Sequence, residues 1–126
     1  MFTSINSKAD IKHFLDKTNN LHDGYIISVR YDNNGISKTE NVYFFNPEKT
    51  KLVIQILVTS IYDAIVELEF ENLSEWQIKD NQWEITDTTI WFDEQNFIVW
   101  SDSNLFEEMK SGSYVIAKSM KWRIVE

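Results

Sequence analysis

The sequence predicts a mainly β protein of the α+β class, an antiparallel β-sandwich or a curved, barrel-like sheet with one N-terminal helix. Two periodicities predict it: apolar residues follow a helical spacing before residue 20 and alternate with period two from residue 21 onward. Composition agrees, because five Trp, five Tyr and eight Phe accompany only three Gly and one Pro, which is typical of a packed sheet. The length of 126 residues predicts one domain, 1–126.

The predicted helix covers residues 7–17. Ser7 is a suitable N-cap, and Asp10 lies in the first turn, where the positive end of the helix dipole favours a carboxylate. An apolar stripe follows at spacing i, i+3 and i+4, formed by Ile11, Phe14 and Leu15. We expect this stripe to pack on the sheet.

Seven or eight short strands are predicted after the helix. In 64–71, Val66, Leu68 and Phe70 alternate with glutamates, so one face is apolar. Residues 52–59 are apolar on both faces apart from Gln55, as expected of a strand inside a sheet. The other predicted strands are 25–31, 41–45, 76–78, 83–85, a hairpin of 88–92 with 97–101, and 114–125. The last of these has an apolar set on one face, formed by Tyr114, Ile116, Met120, Trp122 and Ile124. A single helical turn is predicted at 105–109.

Charge is distributed unevenly. The net charge is −8, but residues 63–108 hold thirteen acidic residues and one basic residue, Lys79. Nucleic acid is therefore a poor partner, because binding it requires Lys and Arg at the phosphates. An acidic membrane surface is disfavoured for the same reason. These counts predict a partner protein with a basic surface.

Cysteine is absent, which excludes disulfides and thiolate metal sites. The first residues lack the basic region and apolar run of a secretion signal, and the longest apolar stretch, 52–58, is too short to span a bilayer. We expect a cytoplasmic protein.

His22 and Asp23 form the one dipeptide that looks catalytic or metal-binding. A metal site needs three or four ligands, and the only other histidine, His13, lies on the predicted helix. We interpret His22 and Asp23 as structural residues that close the helix-to-strand turn, while a hydrolase built around them remains the minor alternative.

An acid/base pair such as Glu67 with Glu84 also stays open. The sequence has no nucleophile elbow and no phosphate-binding glycine loop, so we predict no enzyme, no metal and no cofactor.

Glu67, Glu69 and Glu71 are the most distinctive candidates for binding a partner. Their alternation predicts three carboxylates on one solvent-facing strand surface, which would steer a basic partner. The alternative is that they keep the sheet soluble and block edge pairing. Trp91 is predicted to be half exposed and to anchor the partner, because its neighbours Ile90 and Phe92 share the opposite face. The other four tryptophans are expected mostly in the core.

Three segments resemble a set of small uncharacterised bacterial proteins. They are Leu-His-Asp-Gly-Tyr-Ile at 21–26, Leu-Val-Ile-Gln-Ile-Leu-Val at 52–58 and Ala-Ile-Val-Glu-Leu-Glu-Phe-Glu-Asn-Leu at 64–73. Proteins of that set carry a His-Asp-x-x-Ile start and a β-rich fold, and some resemble immunity proteins that neutralise a co-encoded toxin. The resemblance implies a bacterial protein-binding domain, with an immunity-type inhibitor as one form. A small-ligand protein that uses the interior of its curved sheet is the alternative.

Overall fold

A computed structural model describes residues 1–79, 84–85, 88–102 and 112–125. Within them the chain forms one α-helix, nine β-strands and three short 3-10 turns. In chain order the helix and strands are β1 (Thr3–Ser4), α1 (Lys8–Thr18), β2 (Gly24–Asn33), β3 (Ile36–Thr39), β4 (Val42–Phe45), β5 (Thr50–Val58), β6 (Ala64–Gln77), β7 (Thr89–Phe92), β8 (Ile98–Ser101) and β9 (Tyr114–Val125). The predicted mainly β class with one N-terminal helix is confirmed.

Seven of these strands form one antiparallel sheet in the order β2-β5-β6-β9-β8-β7. The short strand β1 pairs with the second half of β9, where Thr3 lies opposite Trp122. Within the described strands β2 and β7 end the sheet, so it does not close into a barrel. Helix and sheet instead form two layers, a sandwich-like arrangement.

Helix α1 begins as the sequence predicts. The Ser7 side chain accepts a hydrogen bond from the Asp10 N–H at 3.2 Å, and Asn19 ends the helix in the left-handed region. Ile11 and Phe14 are buried against the sheet, and the Phe14 ring meets Trp122 edge-on with centroids 5.1 Å apart. The predicted apolar stripe therefore does anchor the helix.

The core lies between α1 and one face of the sheet. Strand β5, between β2 and β6, supplies Leu52, Ile54 and Ile56, and β6 supplies Val66, Leu68 and Phe70 opposite them. All six of these side chains are fully buried. The predicted central strand and the predicted alternation of β6 are both confirmed.

Three details of the strand prediction change. Segment 76–78 is not separate, because β6 continues to Gln77 past an irregularity between Leu73 and Glu75. Strand β9 does not keep one apolar face: Met120 and Trp122 join the core, whereas Tyr114 packs in a second cluster with Val99. The predicted turn at 105–109 and residue 83 of the predicted strand 83–85 lie outside the described residues, and Ile85 forms an isolated bridge with Gly24.

Strands β3 and β4 form a separate hairpin, here called the aromatic arm (residues 36–45). It continues the β2–β5 hairpin beyond the sheet, with Ile36 opposite Phe45 and Thr39 opposite Val42. The sequence predicts a turn at 32–35 and a weak strand at 41–45. It does not predict strand β3, nor that β3 and β4 pair with each other as a separate two-stranded sheet.

Candidate functional site

The three predicted glutamates project from one face of β6, opposite the core. The register places a cation directly across the ladder from each of them: Arg123 opposite Glu67, Lys121 opposite Glu69, and Lys51 opposite Glu71. Directly opposite residues share a face and approach closely. We call these six residues the glutamate face.

Short contacts join the charges of the glutamate face. Glu67 accepts from Arg123 Nε at 2.8 Å and from Gln55 Nε2 at 2.9 Å. Glu69 lies 2.8 Å from Lys121 Nζ and 3.6 Å from Lys51 Nζ. Phe2 covers the cations of β9, with its ring centroid 4.6 Å from Arg123 Cζ. The face is thus a packed ionic layer rather than a row of free carboxylates.

The predicted solvent exposure of this row is wrong for two of its three members. Glu67 is 7% exposed and Glu69 is 8% exposed, while Glu71 is partly exposed. The physical reason is that the long cationic side chains of β5 and β9 lie over the carboxylates. Three positive charges also offset the three negative ones. The partner-binding role of Glu67, Glu69 and Glu71 stays a prediction, but a freely exposed negative surface does not exist there.

Protonation follows from the same contacts. Burial by itself raises the pKa of Glu69, but the hydrogen bond from Lys121 and the charges of Lys51 and Lys121 outweigh it, so the pKa is lowered overall. The hydrogen bond to Glu69 raises the pKa of Lys121. Both groups are therefore held in their charged forms.

Trp91 lies where the sequence predicts, on the face opposite Ile90 and Phe92. It stands across the ladder from Val99, packs beside Ile116, and is partly buried. An open groove of about 560 Å³ runs along this ring. The interior that the small-ligand alternative would use is filled by core side chains, so a small ligand would have to use a surface groove. A role for Trp91 as an anchor stays a prediction.

His22 and Asp23 lie at the junction of helix and sheet, as predicted. Main-chain groups make most of the bonds there: the Asp23 N–H donates to the Ile85 oxygen at 2.9 Å, and Ser60 Oγ donates to the His22 oxygen at 2.5 Å. The two side chains also approach each other, with His22 Nε2 3.5 Å from Asp23 Oδ1. The junction joins three segments of chain, which fits the structural interpretation.

The structure does not bring Glu67 and Glu84 into one network. Glu84 accepts from the Tyr25 hydroxyl at 3.0 Å at the edge of the sheet, and this bond raises the pKa of Tyr25. Glu67 is held by Gln55 and Arg123.

In the described part of the chain, no three His, Cys, Asp or Glu side chains lie close enough together to bind a metal ion. No helix there is long and apolar enough to cross a membrane.

The aromatic arm is the site that the sequence does not reveal. Its five large apolar side chains are between 52% and 67% exposed: Ile36, Val42, Tyr43, Phe44 and Phe45. They occupy both sides of the hairpin, because Ile36 pairs with Phe45 across the ladder while Phe44 pairs with Ser37. The sequence contains the apolar run Val-Tyr-Phe-Phe at 42–45. A buried strand would show the same run, so the pattern does not indicate exposure.

The base of the arm is built from hydrogen bonds. The Asn46 N–H donates to the Gly35 oxygen at 2.8 Å, and the Gly35 N–H donates to Asn33 Oδ1 at 3.1 Å. On the other strand Thr50 Oγ1 donates to the Pro47 oxygen at 2.6 Å and accepts from the Leu73 N–H at 2.9 Å. A side chain at Gly35 would collide with the main-chain oxygen of Asn46. These contacts fix where the arm leaves the sheet.

Comparison of the chain with protein-family models, curated proteins and solved structures finds no match. The resemblance to immunity-type proteins stays a prediction, so the candidate surfaces have to be judged on their own geometry.

Proposed function

We propose that this chain is a non-catalytic protein-binding domain that contacts its partner through the aromatic arm. The observation that carries the proposal is the exposure of five large apolar side chains on ten consecutive residues. Exposed apolar clusters of this kind mark interaction sites. An isolated two-stranded hairpin is marginally stable in water, so a partner that covers the arm stabilises it.

Charge supports the arm over the glutamate face. Within the arm Lys38 and Glu40 give a net charge of zero, so a partner needs no charged surface of its own to dock on the apolar side chains. Docking at the glutamate face would have to open contacts such as that between Glu69 and Lys121. The partner is therefore a protein with an apolar groove or exposed apolar strands, and a co-encoded toxin, as the sequence resemblance implies, is the first to examine. The cytoplasm is the compartment in which we place this interaction.

The test begins with photo-crosslinking in cells. A benzoylphenylalanine at position 44 should form adducts with another protein, whereas the same group at Tyr62, fully exposed beyond the opposite end of β5, should not. With that protein purified, Tyr43→Ser and Phe44→Ser should each weaken binding about tenfold or more, and Tyr62→Ser should leave it unchanged. Adducts from position 62 or from Glu71, with none from position 44, would overturn the proposal.

A further inference from the structure

The edge of β2 is a second candidate surface, because no described strand pairs with it beyond the bridge at Gly24. Strand β2 pairs with β5 on one side. On its other side the described residues provide Ile85, whose N–H donates to the Gly24 oxygen at 2.7 Å, and Glu84, which accepts from the Tyr25 hydroxyl at 3.0 Å. Apolar residues occur at every second position along this strand and are 39–49% exposed: Tyr25, Ile27, Val29 and Tyr31. Beyond Ile85, an exposed strand edge of this kind is a template for another strand.

Two charges decide which strand fits. Arg30 and Asp32 project on the same face, opposite Val53 and Lys51 of β5, and Arg30 Nε lies 3.1 Å from Asp32 Oδ2. If a second copy of β2 pairs antiparallel about a two-fold axis through Tyr31, Arg30 of each copy falls opposite Asp32 of the other. The four charges then alternate in a closed square, which favours this pairing.

Neighbouring registers are worse. An axis through Arg30 would place two arginines opposite each other, and an axis through Asp32 would place two aspartates opposite each other, which is destabilising. An axis through Ser28 would place Asp32 of one copy opposite Gly24 of the other, but the main chain of Gly24 is already hydrogen-bonded to Ile85. The register centred on Tyr31 therefore has the best charge complementarity and uses the edge beyond Ile85.

We propose that two copies of the chain dimerise by pairing their β2 edges about Tyr31, which extends the two sheets into one. On the core side the pairing brings the two Tyr31 rings together. Each ring already lies beside Trp76, with centroids 5.6 Å apart, so a row of four aromatic rings forms across the interface. This inference does not rest on the proposed function of the aromatic arm.

Charge reversal tests both the dimer and its register. Sedimentation should show a dimer for the wild-type chain, weakened about tenfold or more in Arg30→Asp and in Asp32→Arg, because each variant places like charges opposite each other. An equal mixture of the two variants should recover a dimer, since every cross-pair is then Asp with Arg. Circular dichroism of each variant establishes that it folds.

Other outcomes would overturn the inference. A wild-type chain that stays monomeric up to its solubility limit would leave the edge to a strand from another protein. Single variants that dimerise as well as the wild type, or a mixture that does not recover the dimer, would exclude the register. Dimerisation lost in Phe44→Ser but kept in Arg30→Asp would place the second copy on the aromatic arm instead. By contrast, loss of partner binding in Phe44→Ser with the dimer intact would support the dimer and show that it does not depend on the aromatic arm.

Discussion

Glu69 and Lys121 face each other across the β6–β9 ladder, with Glu69 Oε2 2.8 Å from Lys121 Nζ. The carboxylate is buried and also lies near Lys51. The negative charge of Glu69 therefore helps to hold strands β5, β6 and β9 together through its contacts with the two lysines. These contacts give Glu69 a stabilising role in the sheet, while its role in steering a partner stays a prediction.

The first prediction is that Glu69→Gln lowers the free energy of unfolding by about 1–2 kcal/mol, because it leaves Lys121 and Lys51 without their shared carboxylate. Urea denaturation measures the change. Glu71→Gln is the matched control on the same face. Its carboxylate is more exposed and lies 3.5 Å from Lys121, so we expect a smaller loss. Equal effects at the two positions would contradict the structural role of Glu69.

The second prediction concerns how the free energy of unfolding depends on pH. The pKa of Glu69 is lowered in the folded chain from an ordinary value of 4.5. Its contribution is therefore fully present above about pH 4.5 and is lost as the pH falls through the lowered folded value. Between neutral pH and acid, the wild type should lose more stability than Glu69→Gln does. Parallel pH profiles of unfolding free energy for the two proteins would show that the carboxylate gains nothing from its cations.

Particular residues show how far the sequence could predict this structure. The N-cap Ser7 and the alternation of Val66, Leu68 and Phe70 are local signals, and both are confirmed. The burial of Glu69 depends on Lys121, which is 52 positions away (121 minus 69). Such neighbours depend on strand order and register, which periodicity does not specify.

The aromatic arm was missed for a different reason. Asn33, Asn34 and Gly35 are typical turn residues and predict the end of a strand. In the structure they bend the chain at the base of a longer hairpin, since Asn33 pairs with Thr50 before the break and Ile36 pairs with Phe45 after it. Apolar side chains such as Phe44 and Phe45 are predicted to be buried by pattern alone. Their exposure is a property of the tertiary structure.

The third prediction is that Gly24→Ala destabilises the junction that contains His22 and Asp23. An added Cβ would lie 2.7 Å from the Leu21 oxygen and 2.9 Å from Ile56 Cγ2. Because one neighbour is main chain, relief requires a shift of the turn that also bonds Ile85. We expect a loss of about 1–3 kcal/mol in thermal or urea unfolding. Tyr62→Ala, in the exposed turn next to this junction, is the control and should change little. A neutral Gly24→Ala would mean that the turn is looser than its contacts indicate.

The last prediction is that the aromatic arm contributes to binding and not to the stability of the sheet. Its large side chains are more than half exposed and do not belong to the buried core cluster. Replacing Tyr43 and Phe44 together by Ser should therefore change the unfolding free energy by less than about 0.5 kcal/mol. The same variant should bind less of a dye such as ANS, because less apolar surface is accessible.

Phe70→Ser is the control for this prediction. Phe70 is fully buried in the core, so its replacement should cost several kcal/mol, about 3–5, and should expose apolar surface. Hydrogen exchange adds a further measure: amides at 36–45 should exchange faster than those of β5 in the free chain and should become protected when the partner binds. A large loss of stability in the Tyr43/Phe44 variant would show instead that the arm folds back onto the sheet in solution, which would remove the basis of the proposed binding surface.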